Sequence, residues 1–365
     1  MEESIALVTG SSGYFGQRLV KALAEEGYVV RCVDLNPPES KLPEKCVFHR
    51  ANMLSKEEME PLIKGAEVIF HTASAGMTGS YQLDENLNKK VNVNGTSNIL
   101  NLSQKHNVKR FIFTSSYNVI FSKKELVNVT EEEPYPDDKD QYDWYSKTKK
   151  EAEKMVLAAN NEDFRTCALR PNGIYGLEQG VTIFKFGIGT CILDWCHVMN
   201  LVEAHICADR KLKEGIDVSC GKAYNISDDA PSDPYVFLFP LFKAMEQPLP
   251  QISLPFYLVF FFAYLSEKLT SFLLVAFGFR LEPIVTRNEC LKVCLSHYCD
   301  ITAAKNELGY RPGNYKFSDA VDILMKERKT KRRWSEIIND NRYKFYFAFA
   351  LALVANYLFK FIYHE

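Results

Sequence analysis

The stretch that most constrains this chain lies at its start. Ile5–Val8 is a short apolar run that leads directly into Thr9-Gly10-Ser11-Ser12-Gly13-Tyr14-Phe15-Gly16. Apolar residues then recur at Leu19, Val20, Leu23 and Ala24, the period of a helix, up to Gly27. Glycines spaced by three between a strand and a helix suit a dinucleotide turn. Gly10 permits the tight turn, Gly13 lets backbone N–H groups approach a pyrophosphate, and Gly16 lets the helix pack close to the sheet. Tyr28–Leu35 reads as the second strand, and Asp34 ends it eighteen residues after Gly16. A carboxylate there accepts bonds from ribose hydroxyls and repels a 2′-phosphate. Leu35, Asn36 and Pro37 offer no cation, so NAD is expected over NADP. The candidate cofactor contacts are Gly10, Gly13, Tyr14, Phe15, Gly16 and Asp34.

The pattern continues as alternating strands and helices. Helices are predicted over Lys56–Lys64, Asn92–His106 and Trp144–Asn160, and strands over Ala66–His71, Arg110–Thr114 and Arg165–Arg170. Such alternation implies an α/β fold, a Rossmann-type doubly wound parallel sheet covered on both faces. Beyond Pro171 the pattern is less regular, as expected of a smaller C-terminal substrate lobe. Asp300 is predicted to cap a helix that runs through Leu308 and stops at Gly309. The net charge of −2 gives no reason to expect a nucleic-acid partner. Ten cysteines without any C-x-x-C spacing argue against a zinc site or redox pair, and no metal is expected.

Tyr145-Ser146-Lys147-Thr148-Lys149 places a tyrosine and a lysine four apart on one helix face. A lysine cation near a phenol favours the phenolate, which can take an alcohol proton while a hydride leaves for a nicotinamide. Thr114-Ser115-Ser116 closes a strand at the carboxyl end, where ligands gather in such sheets. A serine hydroxyl there can bond the substrate oxygen. Tyr142 has Ser146 at i+4 and lacks such a cation.

Two apolar regions point to a membrane. Phe345–Tyr363 is apolar except for Asn356 and Lys360, and its nineteen residues make about 28 Å of helix. Lys326–Lys344 before it carries eight Lys/Arg against three Asp/Glu, which favours a cytosolic body behind a single-pass C-terminal transmembrane helix. Leu254–Leu265 and Leu269–Phe277 are separated by Ser266-Glu267-Lys268. Each half is too short to span, so this region is expected to rest on the bilayer and line an apolar pocket. The domain boundaries follow: 1–170 binds NAD and includes the catalytic helix, 171–325 is the substrate lobe, 326–344 is a basic linker and 345–363 an anchor.

Taken in order, these motifs resemble an extended short-chain dehydrogenase/reductase. Asn92-Val93-Asn94-Gly95-Thr96 and Leu169-Arg170-Pro171…Ile174-Tyr175-Gly176 belong to that order. His197-Val198-Met199-Asn200-Leu201-Val202-Glu203-Ala204-His205 and Ala223-Tyr224-Asn225-Ile226-Ser227-Asp228 are similar to segments of its 3β-hydroxysteroid dehydrogenase/isomerase branch, and within it the membrane-anchored family 42E. The resemblance implies Tyr145 as proton acceptor, Lys149 on the nicotinamide ribose, and Ser116 as the catalytic serine. It implies a steroid or other apolar alcohol as substrate, membrane lipid as a partner, the endoplasmic reticulum as location, and a homodimer. Asn52 stands where such enzymes carry an Asp near the adenine, and remains a candidate contact. Met199 replaces an Asp of the motif, removing an acceptor. The stretch from Arg170 to His205 is about a dozen residues short, as though a helix were absent after Tyr175-Gly176. Two alternatives stay open: a nucleotide-sugar epimerase or dehydratase, and an NAD-binding pseudo-enzyme with an impaired lobe.

Overall fold

In a computed structural model the chain is described over residues 4–175, 185–186, 191–215, 219–246, 253–279, 281–283, 285–322 and 325. The basic linker 326–344, the expected anchor 345–363, and residues 176–184 and 187–190 of the shortened stretch lie outside these residues.

Its centre is a seven-stranded parallel sheet. The first half runs β1 (Ile5–Thr9), α1 (Tyr14–Glu25), β2 (Val29–Asp34), β3 (Cys46–Arg50), α2 (Lys56–Ile63) and β4 (Val68–His71). The short α3 (Glu85–Asn88) widens into a π-helical turn at Lys89–Gly95 and continues as α4 (Thr96–Lys105). Then follow β5 (Arg110–Thr114), β6 (Leu126–Val129), α5 (Trp144–Ala158), β7 (Arg165–Pro171), β8 (Gly173–Tyr175), β9 (Lys185–Phe186), β10 (Trp195–His197), α6 (Val198–Glu214) and β11 (Lys222–Ile226). The strand order is β11-β7-β5-β4-β1-β2-β3, with every neighbouring pair parallel. The order reverses between β1 and β4, and their carboxyl ends form the crevice where such sheets bind ligands.

Side-chain alternation builds two apolar layers. Ala6, Val8, Val30, Phe70 and Ile112 face Leu19, Val20 and Leu23 of α1 and Leu201, Ala204 and Ala208 of α6. Leu7, Val33, Ile69, Phe111 and Phe113 face Met59 of α2, Ile99 of α4, and Ala152 and Val156 of α5. At the amino end of the sheet the buried Arg110 guanidinium donates to Asp209 at 2.7 Å and Glu67 at 2.8 Å, fastening α6 to β5.

The second lobe contains α7 (Pro234–Ala244), β12 (Ser253–Leu254), α8 (Phe256–Phe277), α9 (Arg287–Cys294) and β13 (His297–Cys299). Two-stranded parallel pairs join β8 to β10, β9 to β12 and β6 to β13. Asp300 accepts the Thr302 N–H at 2.6 Å, and the following helix ends at Gly309 with φ +73°, as the sequence predicted.

The apolar region after Leu254 departs from expectation. It is one continuous helix of 22 residues, not two halves. Glu267, in the expected break, is buried and accepts from the Arg287 backbone N–H at 2.6 Å and its Nε at 2.7 Å. The charge that looked like an interruption is paired with a partner twenty residues on. At ~1.5 Å per residue α8 is ~33 Å long, long and apolar enough to cross a membrane. Only Ala263, Glu267 and Thr270 are buried, while Phe272 is 61% and Val275 87% exposed.

Candidate active site

The glycine turn is sterically fixed. Gly10 has φ +69°, and a Cβ there would stand 2.9 Å from the backbone of Ala73. A Cβ on Gly16 would lie 2.1 Å from the Gly10 carbonyl oxygen, so α1 approaches the turn more closely than any side chain allows. Gly13 is the N-cap of α1, and its own N–H donates to Gly10 O at 3.1 Å. Tyr14 and Phe15 open α1, with the Arg18 guanidinium 3.9 Å above the Tyr14 ring. The Asp34 carboxylate accepts from Ser12 N and Asn36 N, both at 3.1 Å, and so stands at the mouth of the turn. Asn52 follows β3, and its Oδ1 accepts the Leu54 N–H at 3.0 Å, leaving its amide N–H groups for other work.

Tyr145 and Lys149 sit on the first turns of α5, whose start is capped by Asp143 accepting the Ser146 N–H at 2.7 Å. Both side chains are buried. Burial pushes the Tyr145 phenol up to about 12; Ser116 and Ser74, facing it as hydrogen-bonding hydroxyls, pull it down, and Asp143 pushes it up. Lys149 donates to the Thr114 carbonyl at 2.5 Å, and its ammonium lies 4.0 Å over the Phe113 ring. Desolvation pushes this lysine down to about 7, opposed by the Glu153 carboxylate one turn further along α5. Ser116 caps a short 3-10 turn after β5, accepting Asn118 N–H at 3.2 Å.

Several residues of the site were not singled out in the sequence. Ser74 is held by its neighbours: Thr72 Oγ1 donates to Thr9 O at 2.6 Å, and Ala75 N donates to Asn92 Oδ1 at 2.9 Å. Asn92 Nδ2 also donates to Ala75 O at 2.9 Å and to Thr148 Oγ1 at 3.0 Å. One amide therefore ties the Ser74 loop to α5. His71 bridges Thr9 Oγ1 at 2.7 Å and Thr96 Oγ1 at 2.9 Å. Thr96 gives its own proton to Asn92 O, so His71 donates through Nε2 and accepts through Nδ1. Burial pushes its pKa down to about 3 and keeps it neutral. Glu153 was legible, being at i+4 from Lys149; it also accepts the Arg170 guanidinium at 2.7 Å.

Tyr142 is structural. Its ring packs edge-on against Phe260 of α8, and the Arg287 guanidinium lies 4.3 Å above it. Met199 is partly buried against the core, and the acceptor it lacks is supplied by Asp228, which takes the His197 N–H at 2.8 Å and Asn200 Nδ2 at 2.7 Å. Among the described residues no cluster of three His, Cys, Asp or Glu is arranged for a metal.

Comparisons agree with the architecture. A short-chain dehydrogenase/reductase family 42E member 1 from Danio rerio is 37% identical over 348 residues, covering 90% of this chain and 89% of its own. A mouse sterol-4-alpha-carboxylate 3-dehydrogenase, decarboxylating, is 29% identical over 84% of this chain and 86% of its own. A solved epimerase structure from Methanothermobacter thermautotrophicus superposes with a TM-score of 0.68 at 17% identity, over 89% of this chain and 91% of that one, and shares the fold. The family model of the 3-beta hydroxysteroid dehydrogenase/isomerase family matches residues 7–256. This chain belongs to that family.

Proposed function

We propose that this protein is an NAD-dependent oxidoreductase that oxidises a secondary alcohol on a sterol-like substrate at a membrane surface. The observation that carries the reading is the meeting of Tyr145, Ser116 and Lys149 at the carboxyl end of β5, with the glycine turn at the neighbouring end of β1. The crowding at Gly10 and Gly16 shows that β1, the turn and α1 pack backbone to backbone, which brings the N-terminus of α1 to the carboxyl end of β1, an arrangement that fits a pyrophosphate. Gly10, Gly13 and Gly16, with the first turn at Tyr14 and Phe15, would hold it. Asp34 would bond the adenosine ribose, Asn52 would lie near the adenine, and Lys149 would bond the nicotinamide ribose. Bound NAD supplies the hydride acceptor.

The chain's own residues manage the proton. Ser116 donates to the substrate oxygen and Tyr145 accepts the hydroxyl proton as the C–H hydride departs, leaving a ketone. Burial holds the phenol up at about 12 against the pull of Ser116 and Ser74, so Tyr145 needs a neighbouring cation to act near neutrality. Lys149 is the ammonium one helical turn away, seated by the Thr114 carbonyl.

The sterol-like substrate is supported by the sterol dehydrogenase relative and by the exposed apolar face of α8. We place that face in the lipid interface, because the Glu267–Arg287 pair fastens the middle of α8 to the body. Residues 1–170 form the NAD unit and 171–325 the substrate lobe. Residues 345–363 anchor the chain in the endoplasmic reticulum, with the body in the cytosol. The test is NADH formation by detergent-solubilised protein supplied with 3β-hydroxysterols, sterol carboxylates and nucleotide sugars. Turnover of a sterol supports the reading; turnover confined to nucleotide sugars overturns it.

A further inference from the structure

His205 closes the α6 motif, is fully buried, and touches neither of the groups that would meet substrate. Its hydrogen bonds fix its proton. Nδ1 lies 2.8 Å from the carbonyl oxygen of Leu201, which can only accept, so Nδ1 carries the hydrogen. Burial pushes the imidazole down to about 4, so it is neutral at ordinary pH and Nε2 holds a lone pair. Nε2 lies 2.7 Å from Thr114 Oγ1, so the threonine hydroxyl donates to it.

Thr114 is the residue whose carbonyl holds Lys149. Its following peptide is gripped on both sides: Ser115 N donates to Leu169 O at 2.8 Å, and Lys149 Nζ donates to Thr114 O at 2.5 Å. The bond to His205 fixes the side chain of the same residue. The imidazole also packs against Phe15, with ring centroids 4.7 Å apart and planes tilted 52°. Phe15 opens the helix that follows the glycine turn. One neutral ring therefore touches both the cofactor turn and the residue that seats the catalytic lysine.

We propose that His205 is a positioning residue that, through Thr114, sets where the Lys149 ammonium stands relative to Tyr145 and the cofactor turn. The inference rests on the oxidoreductase reading above. Removing the acceptor leaves the Thr114 hydroxyl buried without a partner, which is unfavourable if nothing moves. The strand end is then expected to shift instead, carrying the lysine's carbonyl with it. Catalytic groups displaced by a fraction of an ångström lose much of their rate.

The test compares His205→Phe, which keeps a ring against Phe15, with Thr114→Val, which keeps the branched shape, and with their combination. Each single variant is expected to lower kcat ~10-fold while KM for NAD stays near that of wild type. The double variant should be no worse than either alone, because both remove one interaction. His205→Gln, which retains an acceptor, should recover most of kcat. A second measurement needs no turnover: NADH binding followed by fluorescence across pH. Lys149→Met should remove a titration step from that profile, and His205→Phe should shift it. Losses that add in the double variant, or a His205→Phe protein with wild-type kcat and an unmoved step, overturn the proposal. Should wild type oxidise no alcohol at all, the oxidoreductase reading fails while the binding profile still decides the role of His205.

Discussion

The Asp34 carboxylate accepts the Ser12 N–H at 3.1 Å, so the acid that closes β2 is bonded to the turn that opens α1. The same carboxylate takes the Asn36 N–H, which holds it at the mouth of the glycine turn. Asp34→Ala should therefore relax selection against a 2′-phosphate, lowering the ratio of NAD to NADP affinity by about tenfold or more. Calorimetric titration with both dinucleotides checks it. Equal binding of the two by wild type would mean that Asp34 does not discriminate.

Tyr145→Phe removes one hydroxyl and little surface. Turnover should fall ~10²–10⁴-fold, as for loss of a general acid or base, with NAD affinity nearly unchanged. Stopped-flow turnover and NADH fluorescence on the same preparation separate the two quantities. Retained turnover would exclude Tyr145 as the proton acceptor.

Stability should fall with acid in a definite window. The His71 and His205 pKa values are lowered to about 3 and 4 by burial, against ~6.5 in an unfolded chain. Below ~6.5 the unfolded chain binds protons that the folded one refuses, so the protein loses stability as pH falls toward ~4. Between pH ~7.5 and ~5.5 each histidine should cost about 1.4 kcal/mol. Urea unfolding at the two pH values measures the slope, and His205→Gln should make it shallower. A slope that ignores that substitution would show that His205 is already protonated in the folded state.

Lipid binding should survive loss of the C-terminal segment. Deleting residues 326–365 is expected to leave the protein on vesicles through α8, and adding Phe272→Glu and Val275→Glu should release it. Burying one large apolar side chain is worth ~1.5–3 kcal/mol, so the pair should weaken flotation by at least about tenfold. Because both positions are exposed, the melting temperature should hardly move. Complete release by the deletion alone would assign membrane binding to the tail.

What was legible in the sequence is what depends on near neighbours. The glycine turn, Asp34, and the Tyr145–Lys149 spacing are local, and the strands around them are buried on both faces and read as apolar runs. β3 was missed because Cys46-Val47-Phe48-His49-Arg50 is short and mixed, and only its pairing with β2 makes it a strand. The break expected in α8 was misread because Glu267 finds Arg287 across a turn of the chain. Thr114, His205 and Asn92 are bound into the site by contacts 35, 91 and 56 residues apart in sequence, and periodicity carries no trace of such distances. Ser74 is reached only once the loop after β4 meets Tyr145 at the start of α5.

The exposed side of α8 bears on how the reaction would be measured. With that helix seated in lipid, enzyme and sterol meet within a sheet rather than a volume. The quantity that sets the rate is then the mole fraction of sterol in the bilayer, and adding inert phospholipid at constant sterol would slow turnover without touching any residue of the site.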